Sequence, residues 1–176
     1  AVILGAAILW ILVTKVQQGF VVPLLEDVWG KNFLSLFASP LKISEYVMGL
    51  ILSAFLTTGF AFIITLSTAY LFFGYNIFQL GIMLAPFLII LFIFGLSLGV
   101  FSAGLIFRFG PPAEWLVWII PFLLAPLSSV YYPVSALPNN IQLIAKIIPT
   151  TYIFESMRSI LLSGAFIWQN LIIGFL

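Results

Sequence analysis

Eleven side chains of this sequence carry charge: Lys15, Lys31, Lys42, Arg108, Lys146 and Arg158 against Glu26, Asp27, Glu45, Glu114 and Glu155. Histidine and cysteine are both absent. That removes the commonest general base, the commonest metal ligand, any thiolate site and any disulfide framework. A lipid-acting membrane enzyme would call for histidine or clustered acids, and only Glu26-Asp27 cluster. No basic tract suits nucleic acid. Gly30-Lys31-Asn32 lacks the earlier glycine and the Ser or Thr of a nucleotide-binding loop.

Two groups of polar residues stand out. In the first, Glu26, Asp27, Lys31, Lys42 and Glu45 put five of the eleven charges within residues 26–45. Asp27 and Lys31, four apart, suit a helical ion pair. Val28, Phe33, Leu36 and Phe37 fall near one face of the same short helix. Ser39-Pro40 ends it, and Ser44 is placed to cap the helix that follows. Such a helix either docks a soluble partner or merely seats the loop on headgroups. The second group lies in 132–164, where Pro133, Pro138 and Pro149 punctuate an apolar sequence. Ile141, Ile144, Ala145 and Ile148 form a stripe at helical spacing, Thr150 or Thr151 can cap a second short helix, and Glu155 and Arg158 stand at i and i+3. A charged pair so near a bilayer marks either a functional site or an internally neutralised surface couple.

The elements that must position these groups are membrane spans. Of 176 residues, 64% are hydrophobic and 6% charged, against about 25% charged in soluble domains. Apolar runs predict spans at about 2–25, 46–73, 78–107, 115–131 and 165–176, in one all-α transmembrane domain covering 1–176. The spans 46–73 and 78–107 exceed the roughly 20 residues a bilayer needs, which predicts tilt or a kink at Pro86. Gly74-Tyr75-Asn76 and 108–114 are tight turns, and Pro111 and Pro112 suit the first turn of a new helix. Residues 132–164 form pieces too short to cross and predict a re-entrant or interfacial helix pair. The sequence begins with Ala1 inside an apolar run and ends likewise at Leu176, as expected of a fragment of a longer chain.

Parity and the positive-inside rule put 26–45 and 108–114 in the cytoplasm and 132–164 outside. Lys15, with Gln17 and Gln18, interrupts the first span. It either snorkels to the cytoplasmic interface or faces a polar pathway. Gly95, Gly99 and Gly104, with Ser97 and Ser102, give the third span a small-residue face suited to close helix packing. The tryptophans and tyrosines near span ends read as interface belts.

Taken together, the two polar segments resemble the membrane subunit of an ATP-binding-cassette exporter of the ABC-2 type. The resemblance is carried by Glu26-Asp27-Val-Trp29 through Ala38-Ser39-Pro40-Leu41 to Glu45, by Arg108-Phe-Gly110, and by Tyr132-Pro133, Leu137-Pro138, Pro149-Thr-Thr-Tyr152 and Glu155 to Arg158. It implies an ABC-2-like helix bundle with a cytoplasmic coupling helix and an extracellular re-entrant pair. It also implies a prokaryotic, multi-pass protein of the plasma (inner) membrane, surrounded by membrane lipid. The ATPase contacts would be Glu26, Asp27, Trp29, Lys31, Asn32, Phe37, Ser39 and Pro40. The outer gate would be Tyr131, Tyr132, Pro133, Pro138, Pro149, Tyr152, Glu155 and Arg158, with Arg108 and Gly110 at the cytoplasmic turn. A second permease subunit, the same or different, would complete the path. No cofactor is expected on this chain; ATP and Mg would sit on a cytoplasmic ATPase subunit. The expected cargo is a drug, a lipid or a lipid-linked glycan moving outward. The alternative is a secondary transporter or channel without an ATPase, although the chain shows neither inverted repeats nor, Lys15 aside, mid-span charges.

Overall fold

The computed structural model describes residues 2–163, so the span expected at 165–176 lies outside the described residues. Seven α-helices follow in order: α1 (Val2–Trp29), α2 (Phe33–Ala38), α3 (Ile43–Phe73), α4 (Leu84–Phe109), α5 (Glu114–Leu127), α6 (Asn139–Ile147) and α7 (Pro149–Ser163). The described residues contain no strand. Three stretches, Val2–Trp29, Ile43–Phe73 and Ile77–Phe109, are long and apolar enough to cross a membrane. The chain is a polytopic membrane helix bundle. α3 shows why: Met48, Leu52, Phe60, Ile63 and Leu71 are exposed along its length, a surface that suits hydrocarbon and not water.

α1 is the hub. It packs along α3 and α4 and touches α5 and α7, so it buries far more of its length than α3 or α4 do although it is no more apolar than they are. Close approach is set by small residues. A side chain at Gly95 would meet Val16 Cβ at 2.8 Å and the Val13 carbonyl oxygen at 2.9 Å, and one at Gly99 would press on the Phe20 ring. Gly19 sits likewise against Ala54 and Thr57 of α3. The expected small-residue face is therefore Gly95, Gly99 and the fully buried Ser102. Gly104 and Ser97 are not part of it: Gly104 has open space around it, and Ser97 is exposed and bonds back to its own Ile93 carbonyl at 2.9 Å. Gly95→Ala should lower the unfolding midpoint, costing about 1 kcal/mol, because a backbone oxygen cannot yield as a side chain can. Gly104→Ala should hold or raise it, since alanine is the better helix former by about 1 kcal/mol. Thermal unfolding of the two variants in detergent measures the contrast.

Several expected boundaries move. α1 continues through Pro23 to Trp29, so Glu26 and Asp27 end a spanning helix instead of opening a short surface one. The kink expected at Pro86 falls at Gly81 (φ 59°, ψ −142°), inside the 3-10 segment (Ile77–Met83) that leads into α4. Pro86 itself occupies the first turn of α4, where its missing N–H costs nothing. Asn76 caps the 3-10 segment by accepting from Phe78 N at 2.9 Å. The expected fourth span becomes α5, 14 residues long or about 21 Å, shorter than the about 30 Å hydrocarbon core. The helix pair expected in 132–164 is α6 and α7, split at Pro149.

Candidate functional site: two polar ends of one bundle

The end of the bundle that carries α2 is built around Asp27. Its carboxylate accepts from Tyr46 Oη at 2.8 Å and from Asn32 Nδ2 at 3.3 Å. One side chain thus ties the last turn of α1 to the first turns of α3 and to the start of α2. The expected Asp27–Lys31 ion pair does not form. Lys31 has φ 53°, so the chain turns sharply there; Gly30 N still donates to the Glu26 carbonyl at 2.8 Å, and Asn32 N to the Asp27 carbonyl at 3.0 Å. A helix cannot carry an i,i+4 pair across a left-handed residue. α2 is accordingly a separate six-residue helix, and Val28 lies on α1, not on it. Phe33 packs edge-on against Tyr46 and Phe107, with ring centres 6.3 and 5.8 Å apart.

Ser39 closes α2, donating from Oγ to the Leu36 carbonyl at 2.6 Å. Pro40 follows in exposed, non-helical chain. Ser44 is not the cap of α3. The helix begins at Ile43, and Glu45 reaches back to accept from Lys42 N at 2.9 Å, the acidic half of a capping box. Glu26, Trp29, Lys31, Asn32 and Ser39 are exposed around this turn, and Phe37 falls on α2. Arg108 and Gly110 lie at the same end, where α4 stops. Gly110 (φ 77°) supplies the positive φ that ends the helix, and the Arg108 guanidinium lies 5.5 Å from the Phe109 ring centre.

The opposite end is held by Glu155. Its Oε1 accepts from Arg158 Nη1 at 3.0 Å, from Ser129 Oγ at 2.8 Å and from Val134 N at 2.9 Å. Arg158 Nη2 also donates to the Ser129 carbonyl at 3.1 Å. The expected ion pair is present, with Arg158 only 12% and Glu155 30% exposed. It is not a self-contained couple, because it fastens α7 to the chain leaving α5. Ser129, which the sequence did not single out, is the hinge: it is fully buried, adopts φ 60°, and its Oγ donates also toward the Tyr132 carbonyl at 2.7 Å.

Around this knot Tyr131 is exposed and Tyr132 half-buried. Pro133 leads into a 3-10 turn (Val134–Ala136) and Pro138 into α6. Pro149 opens α7, so neither threonine caps it. Thr151 instead donates to the Ala145 carbonyl at 2.7 Å, and Tyr152 to the Lys146 carbonyl at 2.8 Å, locking α6 against α7. Of the expected α6 stripe Ala145 is fully buried, Ile141 and Ile148 are half-buried, and Ile144 is exposed. Tyr75, in the turn between α3 and the 3-10 segment, is buried with its hydroxyl unpaired. Burial pushes that hydroxyl above the ordinary tyrosine range.

Between the two ends lies a third polar feature. Gln17 is 1% exposed; its Nε2 donates to Ser102 Oγ at 3.0 Å and to the Val117 carbonyl at 2.9 Å. Val117 is four residues before Pro121, so the ring removes the N–H that this carbonyl would otherwise accept. Gln17 supplies the missing donor. Lys15 lies on the other, exposed side of α1 and donates to Gln18 Oε1 at 3.2 Å. It is midway between Gly5, packed on Tyr75, and Asp27, bonded to Tyr46, about 15–18 Å from each. That is farther than a lysine stem reaches along a helix.

No cluster of three or more acidic residues suited to a metal ion occurs among the described residues. No curated protein and no solved structure matches the chain. The family model of the ABC-2 type transporter matches residues 2–162, which takes in both polar ends and every helix that joins them. The chain belongs to the ABC-2 type transporter family, as a membrane transport subunit that is not itself catalytic.

Proposed function

We propose that this chain is the permease subunit of an ATP-driven exporter. It works beside a second permease, the same or different, and is powered by a separate cytoplasmic ATPase that holds ATP and Mg. The observation that carries this reading is the Asp27 junction. α2 projects exposed polar residues beyond the bundle and is fixed at its base to α1 and α3 together. A push on α2 is therefore delivered to two long helices at once, as conversion of ATPase closure into helix movement requires. The positive-inside rule favours the cytoplasm for this end, in a plasma or inner membrane of a prokaryote, and outward transport makes the Glu155 knot the exit side.

Lys15 fits the same scheme. A charge within a spanning stretch is stable only against water or a counter-group, so its exposed face of α1, with Thr14 and Gln18, borders a polar path between subunits. The cargo is a drug, a lipid or a lipid-linked glycan. Co-purification of a cytoplasmic ATPase with the permease from its native membrane tests the docking arm. Replacing Trp29, Lys31 and Pro40, all exposed, together by alanine should cut recovery of the ATPase at least tenfold and leave the permease folded. Asp27→Ala should keep the ATPase bound and reduce transport per ATP hydrolysed. If no ATPase accompanies the permease, or the triple variant recovers it in full, the coupling role of α2 is wrong.

A further inference from the structure

We infer that the cavity behind α2 is a binding site for an anionic phospholipid from the leaflet on the α2 side, with one acyl chain inside and its phosphate on Lys42. The cavity is about 610 Å³, within the roughly 300–1,000 Å³ of small-molecule sites. Phe20 of α1 and Phe107 of α4 wall it, Leu50 and Val100 lie at its deeper end, and Phe33 and Leu36 of α2 cover it. Among the described residues Lys42 is the one charged side chain that lines it.

Hydrocarbon is the only chemistry that such walls solvate, and the place is one a lipid can enter sideways, because α3 and α4 present exposed apolar faces beside it at Val47 and Val100. The headgroup follows from charge. Lys42 is exposed at the start of α3, where a spanning helix leaves the bilayer. The nearest acid along the chain, Glu45, has its Oε2 on the Lys42 backbone N–H at 2.9 Å. Among the described residues no carboxylate lies within 4.0 Å of the Lys42 ammonium. A phosphate is the complement that a membrane supplies at that depth. A chain in the cavity lies directly under Phe33 and Leu36, so its presence sets how far α2 stands from the bundle.

The test is lipid retention by the full permease, taken from nanodiscs of equal phosphatidylglycerol and phosphatidylcholine into mild detergent and read by native mass spectrometry. Gly104 lines the cavity with open space beside it, so Gly104→Phe fills the site without touching the α1 contacts, and Val100→Phe fills it from a second position. The wild type should keep phosphatidylglycerol at least tenfold over phosphatidylcholine. Lys42→Gln should abolish the preference, Lys42→Arg should restore it, and either phenylalanine should release the lipid with the unfolding midpoint unchanged. Equal retention of the two lipids by the wild type overturns the headgroup assignment. Retention that survives both phenylalanines overturns the cavity, leaving a surface contact alone. The readout needs no ATP hydrolysis, so it stands or falls apart from the docking role of α2.

Discussion

Glu155→Ala is expected to destabilise the permease by about 2–3 kcal/mol and to open the segment between α5 and α6 to proteolysis. One carboxylate oxygen takes three donors, from Arg158, Ser129 and Val134. Its loss strands the Val134 backbone N–H and a guanidinium that is 12% exposed, while the Ser129 hydroxyl keeps only the Tyr132 carbonyl. Breaking a buried pair from one side costs about 3–5 kcal/mol, and the 30% exposure of Glu155 discounts that figure. Glu155→Gln keeps an acceptor for Ser129 and Val134 and gives up only the charge, so it should cost about half as much. Arg158→Ala removes the cation but leaves Glu155 two donors, and should fall between them. Thermal unfolding in detergent ranks the three, and limited digestion at Tyr131–Tyr132 reports the opening. Equal midpoints for Glu155→Ala and wild type would show that the knot bears no load.

The second large effect belongs to Gln17→Leu. Leucine fits the space and suits a spanning helix, so hydropathy alone would rank the change as neutral or favourable. The structure predicts a loss of about 2 kcal/mol instead. Without Gln17 Nε2, the Val117 carbonyl has no donor, because Pro121 cannot provide one. Unpaired backbone groups in a bilayer cost several kcal/mol, while side-chain hydrogen bonds between spanning helices average about 0.6 and reach about 1.7 kcal/mol. The double variant Gln17→Leu with Pro121→Ala restores an N–H to α5 and should regain most of the loss. Recovery by Pro121→Ala separates this cause from simple mispacking, which that second change would not repair.

These two positions show where the sequence was readable. Glu155 and Arg158 were found because i,i+3 spacing is a local rule: any helix through them brings opposite charges together. The Tyr-Pro, Leu-Pro and Pro-Thr-Thr-Tyr punctuation likewise divided 132–164 into short pieces, since proline limits its neighbours wherever it stands. Asp27–Lys31 failed under the same spacing rule, because it holds only if the helix persists, and Lys31 turns left-handed. Ser44 failed as a cap because the helix starts one residue earlier, at Ile43, which puts Ser44 inside its first turn. Pro86 marked a break that Gly81 made instead, glycine being the residue that tolerates the reversed φ.

What the sequence determined by itself was the solvent and the scale. Its apolar runs demand a bilayer, the runs are long enough for helices, and most of the charged residues collect in two short segments between or after those runs. The tertiary structure decided which polar groups meet. Asp27 with Tyr46, Gln17 with the carbonyl freed by Pro121, and Glu155 with Ser129 are 19, 100 and 26 residues apart. Hydropathy along a chain has no term for partners at such separations. In a bilayer the pairing is nevertheless forced, because no water is present to satisfy a group that the packing leaves alone.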